Sequence, residues 1–283
     1  TNDGLPEIFF SANMSSDRLY LNKGKFEFED ISEITGIDIT EEWSTGVSIA
    51  DVNGDGWQDI YVCRVGGDYR GFKGENKVYI HQGLNDKGFP QFKEAAKEYG
   101  LQFSGFSTQA AFFDYDNDGD LDMYLLNHSV HTERSYGPGK KLRIQTDPKA
   151  GDKLYKNLLN EGKIGFKEVT KQAGILNSQI GYGLGIALTD LNQDGYTDIY
   201  IGNDFHEHDY LYMNNGDGTF TESLQKIAKH TSRFTMGVDA ADFNNDALPD
   251  LISLDMKPEY EEILKASAPE DTYEIFSYKL DFG

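Results

Sequence analysis

Short apolar runs alternate along this chain with acidic, turn-forming nonamers. GVSIA (46–50) precedes one such turn and DIYVC (59–63) follows it; TQAAFF (108–113) and DMYLL (122–126) flank a second, and GLGIAL (183–188) and DIYIG (198–202) a third. Runs this short, rich in β-branched and aromatic residues and bounded by Gly and Asp, predict strands and not helices. A second signature follows each pair: DRLYLNKGKFEFEDI (17–31), NKVYIHQG (76–83) with Phe92 beyond, DKLYKN (152–157) with Phe166, and DYLYMNNGDGTFTES (209–223). Alternation of Leu19 with Leu21 and of Leu211 with Met213 predicts a third strand, and NNGDG (214–218) a hairpin into a fourth. A short tail closes each unit: TGI (35–37), YGL (99–101), AGI (173–175). Four strands recurring every 63, 76 and 52 residues is the pattern of β-propeller blades, with boundaries expected near 1–43, 44–104, 105–180, 181–232 and 233–283.

The turns between the first two strands carry the chemistry. In DVNGDGWQD, Asp51, Asn53, Asp55 and Asp59 put hard oxygen donors at positions 1, 3, 5 and 9, with the Trp57 carbonyl at position 7, the donor types that Ca²⁺ accepts. The arrangement returns as Asp114, Asp116, Asp118, Asp120 and Asp122; as Asp190, Asn192, Asp194, Tyr196 and Asp198; and as Asp242, Asn244, Asp246, Leu248 and Asp250. Residues 3–7 match positions 5 to 9 of a fifth copy that lacks the first donors and has Glu7 at position 9, and no ion is assigned to it. One acidic turn arises easily by chance, but four aligned nonamers do not, so up to four Ca²⁺ sites are expected. An EF-hand is excluded, because its loop lies between helices and ends in a bidentate Glu at position 12; here position 12 is Val62, Leu125, Ile201 and Ser253. Ala247 replaces the position-6 glycine, where a positive φ costs a non-glycine residue about 1 kcal/mol, which makes Asp242–Asp250 the weakest site expected.

Composition sharpens this picture. Net charge is −22 over 283 residues, which argues against a nucleic-acid partner. Much of that charge lies in the loops themselves. No apolar run approaches the roughly 20 residues that a membrane-spanning helix needs. Cys63 is the only cysteine, so no intrachain disulfide forms, and its setting IYVCRV predicts a small buried apolar residue.

The nonamers together with the L/V-Y-x-N-G-F segments resemble the FG-GAP and VCBS repeats of integrin α-subunit propellers and of many secreted or surface-anchored bacterial proteins. The C-terminal stretch LDMKPEYEEILKASAPEDTYEIFSYKLDFG is similar to bacterial VCBS proteins that also carry an ASPIC/UnbV domain. That resemblance implies a seven-bladed propeller with Ca²⁺ loops between the first two strands of each blade. About four and a half repeats are present, so a fragment of a longer chain is expected, its remaining blades lying elsewhere and any signal or anchor outside this sequence.

Two stretches depart from the repeat. The insertion at 127–151 holds five Lys or Arg against two acids; Arg134, Lys140, Lys141 and Arg143, with Tyr136 as a stacking face, could capture an anionic glycan, although a solvated insertion packing on its neighbours weighs more. In GNDFHEHDY (202–210), His206, Glu207, His208 and Asp209 could hold a transition metal, but His206 and His208 point to opposite faces if extended. A short helix is expected after Pro258. No GxSxG, HExxH, P-loop or GxGxxG motif appears. The expected function is a noncatalytic, calcium-binding propeller module for protein or carbohydrate at the cell surface, outside the cell or in the periplasm. The competing expectation is a polysaccharide-active enzyme on a calcium-stabilised propeller.

Overall fold

The computed structural model describes residues 1–66, 71–130, 142–205, 207–232, 234–256 and 260–263. Its strands are β1 (Ile8–Phe10), β2 (Asn13–Ser15), β3 (Arg18–Asn22), β4 (Phe28–Asp30), β5 (Glu42–Ala50), β6 (Asp59–Arg64), β7 (Lys77–Leu84), β8 (Pro90–Glu94) and β9 (Ser107–Phe113). They continue as β10 (Asp122–Asn127), β11 (Lys153–Asn157), β12 (Phe166–Glu168), β13 (Gly183–Thr189), β14 (Asp198–Asn203), β15 (Tyr210–Asn214), β16 (Phe220–Glu222), β17 (Thr235–Ala241) and β18 (Asp250–Asp255). Every apolar run flanking a nonamer is a strand, as its composition predicts. Residues 261–263, just past Pro258, are helical.

The sheets run in the order β1-β3-β4, β2-β5-β6-β7-β8, β9-β10-β11-β12, β13-β14-β15-β16 and β17-β18. This is the all-β architecture of propeller blades: four strands laid side by side in chain order and paired antiparallel, as in β13 with β14, β14 with β15 and β15 with β16. The second blade gains β2 as a fifth strand, through pairing of Asn13 with Trp43. Two compact units divide the chain, residues 1–125 with 155–168 and residues 126–154 with 169–283.

Every residue of β6, β10 and β14 is buried. Period-two alternation then feeds two cores from one strand. Tyr61 and Cys63 of β6 pack with Val78, Ile80, Met123 and Leu125, whereas Ile60 and Val62 pack with Leu19, Ile31 and Tyr79. A strand buried on both faces must read as an unbroken apolar run, which is why IYVC, MYLL and IYIG lack the alternation of a half-exposed strand.

The closing tails join one blade to the next. The backbone N–H of Phe92 donates to the Thr35 carbonyl (2.7 Å), that of Phe166 to Tyr99 (2.8 Å) and that of Phe220 to Ala173 (2.8 Å). The glycine after each acceptor, Gly36, Gly100 or Gly174, has φ of 85°, 69° or 78°. A Cβ on it would lie 2.5, 2.8 or 2.7 Å from the carbonyl oxygen of the same phenylalanine. Only glycine meets both conditions, so TGI, YGL and AGI are clasps onto the following blade's fourth strand.

Candidate functional site

The four nonamers fold identically. The position-1 carboxylate accepts the backbone N–H of position 5 at 3.1 Å in each loop: Asp55 to Asp51, Asp118 to Asp114, Asp194 to Asp190 and Asp246 to Asp242. It also accepts the N–H of position 6, from Gly56, Gly119, Gly195 and Ala247, at 2.8, 2.9, 2.8 and 2.8 Å. Position 5 in turn accepts the N–H of position 7, as in Trp57 to Asp55 and Tyr196 to Asp194, both 2.9 Å. Left-handed backbone at positions 4 and 6 makes this curl possible: Gly54, Asn117, Gln193 and Asn245, then Gly56, Gly119, Gly195 and Ala247, all have positive φ. Ala247 sits at φ 67°, where its Cβ is strained. The remnant turn keeps one element of the pattern, with Leu5 N–H donating to Asp3 at 2.9 Å, while Glu7 accepts from Thr1 Oγ1 at 3.0 Å.

Position 9 is the knot between loop and sheet. One oxygen of Asp59, Asp122 and Asp198 accepts the N–H of position 2, from Val52, Tyr115 and Leu191, at 3.0, 3.2 and 2.9 Å. The other accepts a third-strand N–H, from His81, Asn157 and Asn214, each at 2.8 Å. These aspartates are buried, and burial pushes the Asp59 carboxyl up to about 6 and that of Asp122 up to about 8; Asp198 is raised by the same cause. Neighbouring aspartates of the loop push in the same direction. A cation among them would relieve both costs.

The loop at 114–122 brings three carboxylates together. Carboxylate oxygens of Asp114, Asp116 and Asp122 lie within 4.8 Å of one another. Two oxygens on one Ca²⁺ stand at most about 5 Å apart, given bonds of roughly 2.3–2.6 Å. Asp116 Oδ1 and Asp120 Oδ1 are buried and accept no hydrogen bond. Orphaned acceptors beside a carboxylate cluster fit a hard cation, and Asp114, Asp116, Asp118 and Asp122 with the Asp120 carbonyl are the residues that would hold it. The Lys156 ammonium already contacts this loop, pairing with Asp116 and with Asp118 (3.0 Å). Burial works against the Asp118 carboxylate, but hydrogen bonds from Lys156 and Asn160 hold it below the usual range.

Elsewhere, the structure places the remaining candidates as follows. Arg134, Tyr136, Lys140 and Lys141 lie outside the described residues. The Arg143 guanidinium is engaged inside the fold, with Nε 3.1 Å from Glu207, Nη2 3.7 Å from Glu222 and the Tyr210 ring beneath it at 5.5 Å. His206 lies outside the described residues. The Asp209 carboxylate accepts from Tyr200 Oη (2.6 Å), Asn203 N–H (2.7 Å) and Thr235 Oγ1 (3.0 Å), which commits it to packing. Cys63 is fully buried, and burial raises its thiol far above the ordinary range.

One recurrent role escapes a reading of the loops alone. The residue that opens each third-strand motif accepts the N–H at the end of the second strand: Asn76 from Arg64 (2.8 Å), Asp152 from Asn127 (2.9 Å) and Asp209 from Asn203 (2.7 Å). The motif's asparagine latches position 8 of the loop, as Asn157 donates to the Leu121 carbonyl and Asn214 to Thr197. The recurring D/N-x-L/V-Y-x-N spacing was the signal for both.

The nonamers recur between first and second strands, and comparison with known proteins identifies the family. The FG-GAP-like repeat family matches residues 1–62 and 156–253, more than half of the chain. The chain belongs to the FG-GAP-like repeat family. Among curated relatives it is 26% identical over 200 residues to cartilage acidic protein 1 of Xenopus tropicalis, covering 71% of this chain and 27% of that protein. To the Homo sapiens protein of the same name it is 26% identical over 217 residues, covering 73% and 29%. This FG-GAP chain therefore spans less than a third of the curated relatives it matches. A solved structure titled for specific recognition of non-reducing terminal N-acetylglucosamine by an Agrocybe aegerita lectin aligns over 89% of this chain and 72% of its own. At 17% identity and a TM-score of 0.32, that likeness carries nothing about ligands.

Proposed function

We propose that this FG-GAP chain is a noncatalytic, calcium-stabilised binding module that works outside the cell, at its surface or in the periplasm, on a protein or carbohydrate ligand. The observation that carries the metal reading is the clustering of Asp114, Asp116 and Asp122 oxygens within 4.8 Å, in a curl that three further loops share. Asp51, Asn53, Asp55 and Asp59 with the Trp57 carbonyl, and the corresponding residues of the other loops, would hold the ions. Bound Ca²⁺ would supply charge neutralisation, tying two strands together through carboxylates that otherwise repel. Extracellular calcium modules bind with dissociation constants of about 10⁻⁴–10⁻³ M, which suits a calcium-rich exterior. Among the described residues, no helix is long and apolar enough to cross a membrane.

A recess of about 530 Å³ beside the first complete loop supports the ligand half of the reading. It is lined by Asn53, Asp55, Trp57, His81, Lys93 and Tyr99, with Trp57 stacked on His81 at 4.4 Å. Hydroxyl-matching polar groups next to aromatic rings suit a carbohydrate or a polar peptide. The metal reading predicts that excess EDTA lowers the melting temperature and that added Ca²⁺ restores it; an unchanged melt would sink it. The ligand reading predicts retention on a glycan array in calcium that Trp57→Ala abolishes, and equal retention by the variant would move the site elsewhere.

A further inference from the structure

The second complete loop departs from its siblings in charge, and one residue of the third strand departs with it. Position 3 is asparagine in three loops, Asn53, Asn192 and Asn244, but aspartate at Asp116; position 7, Trp57, Tyr196 and Leu248 elsewhere, is Asp120. The residue after the tyrosine of the third-strand motif is Leu21, Ile80 and Met213 in three repeats, but Lys156 in this one. Thus the single repeat with five aspartates in its nonamer is the single repeat with a lysine at this otherwise aliphatic position. The structure joins the two departures, since Lys156 Nζ lies against Asp116 Oδ2 and is 3.0 Å from Asp118 Oδ2.

The neighbouring turn completes the same closure. Asn160 donates its backbone N–H to Asp120 Oδ2 (2.9 Å) and its side-chain amide to the Asp118 carbonyl (2.6 Å) and to Asp118 Oδ1 (3.0 Å). Segment 156–160 therefore supplies a positive charge and donors to a loop whose siblings receive no lysine among the ion pairs of the described residues. Even so, Asp120, 95% buried, keeps Oδ1 without a partner, as does Asp116. The ammonium neutralises only part of what the loop presents.

We propose that Lys156 is a tethered cation standing in for metal charge at the 114–122 loop, so that this loop closes without calcium and takes calcium only by displacing the ammonium. The inference rests on the calcium reading above and assigns one loop a behaviour distinct from the other three. A unit charge a few ångströms from an ion site weakens binding at least about tenfold, even at the effective dielectric of a protein surface.

The test compares the wild-type chain with Lys156→Met, which installs the residue found at position 213, and with the double variant Asp116→Asn/Lys156→Met, which reproduces the Asn192 and Met213 combination of the next repeat. Each is titrated with Ca²⁺ by calorimetry and melted in EDTA. In Lys156→Met one calcium site should tighten at least about tenfold, or newly appear, while the melting temperature in EDTA falls because Asp116 and Asp118 lose their counter-charge. The double variant should recover part of the EDTA melt, and it keeps the test decisive if the single variant folds poorly. Calcium uptake by the wild type with unchanged stoichiometry and affinity in both variants overturns the inference and leaves the calcium reading standing. Absence of uptake in all three proteins overturns both.

Discussion

At the scale of single residues, the position-9 aspartates carry two duties that pull in opposite directions. Asp59, Asp122 and Asp198 are buried where they reach the third strand, and would have to be charged to hold the proposed cation. The first duty raises their pKa; the second needs the ion that lowers it again. Position 6 shows the cost of departing from the repeat. Ala247 adopts φ 67° where the other loops place glycine. Ala247→Gly is expected to stabilise the chain by about 1 kcal/mol and to tighten the 242–250 loop toward Ca²⁺, whereas Gly195→Ala should cost a similar amount; denaturant melts with and without calcium measure both. The nonamer spacing itself was legible because its oxygen-bearing residues recur at positions 1, 3, 5 and 9 of each copy. Their partners on the third strand were not, since the Asp59–His81 and Asp122–Asn157 bonds span 22 and 35 residues.

At the scale of elements, strand identity followed from composition, and the buried central strands are why. IYVC, MYLL and IYIG face apolar neighbours on both sides, so little besides apolar residues survives there. The tails TGI, YGL and AGI are different. As sequence they read only as punctuation, and their clasping of Phe92, Phe166 and Phe220 appears only when blades stand side by side. Gly100→Ala meets two penalties, a left-handed backbone and a Cβ 2.8 Å from the Phe166 oxygen. A loss of about 1–3 kcal/mol is expected, read from chemical denaturation; a change within a few tenths would show that the clasp yields freely. In the basic insertion, Arg143 is the one proposed anion-binding residue that lies within the described residues. Arg143 anchors on Glu207, Glu222 and Tyr210, so one of the five residues proposed for anion capture is occupied by packing.

At the scale of the whole molecule, a net charge of −22 and the loops are one fact seen twice. The loops concentrate like charge where strands must meet; in the proposed calcium-bound form, the same carboxylates would become cross-links. Within each unit the clasps couple one blade's tail to the next blade's fourth strand. Loss of ions should therefore be felt beyond the loop that holds them. The EDTA-induced fall in melting temperature is accordingly expected as a shift of the whole transition of a unit, not as a separate early step, and calorimetric scans distinguish the two.

The sequence by itself determined the repeat, the strands and the turn-forming nonamers, because each is encoded within nine residues or by a period of two, distances over which the backbone leaves few alternatives. It also carried the FG-GAP resemblance that the family match bears out. Only the tertiary structure decided which N–H each position-9 aspartate captures, what the glycine tails are for, and that Lys156 reaches Asp116 across 40 residues. Those contacts depend on the lateral stacking of strands and blades, which brings distant segments within hydrogen-bonding reach and leaves no local pattern in the chain.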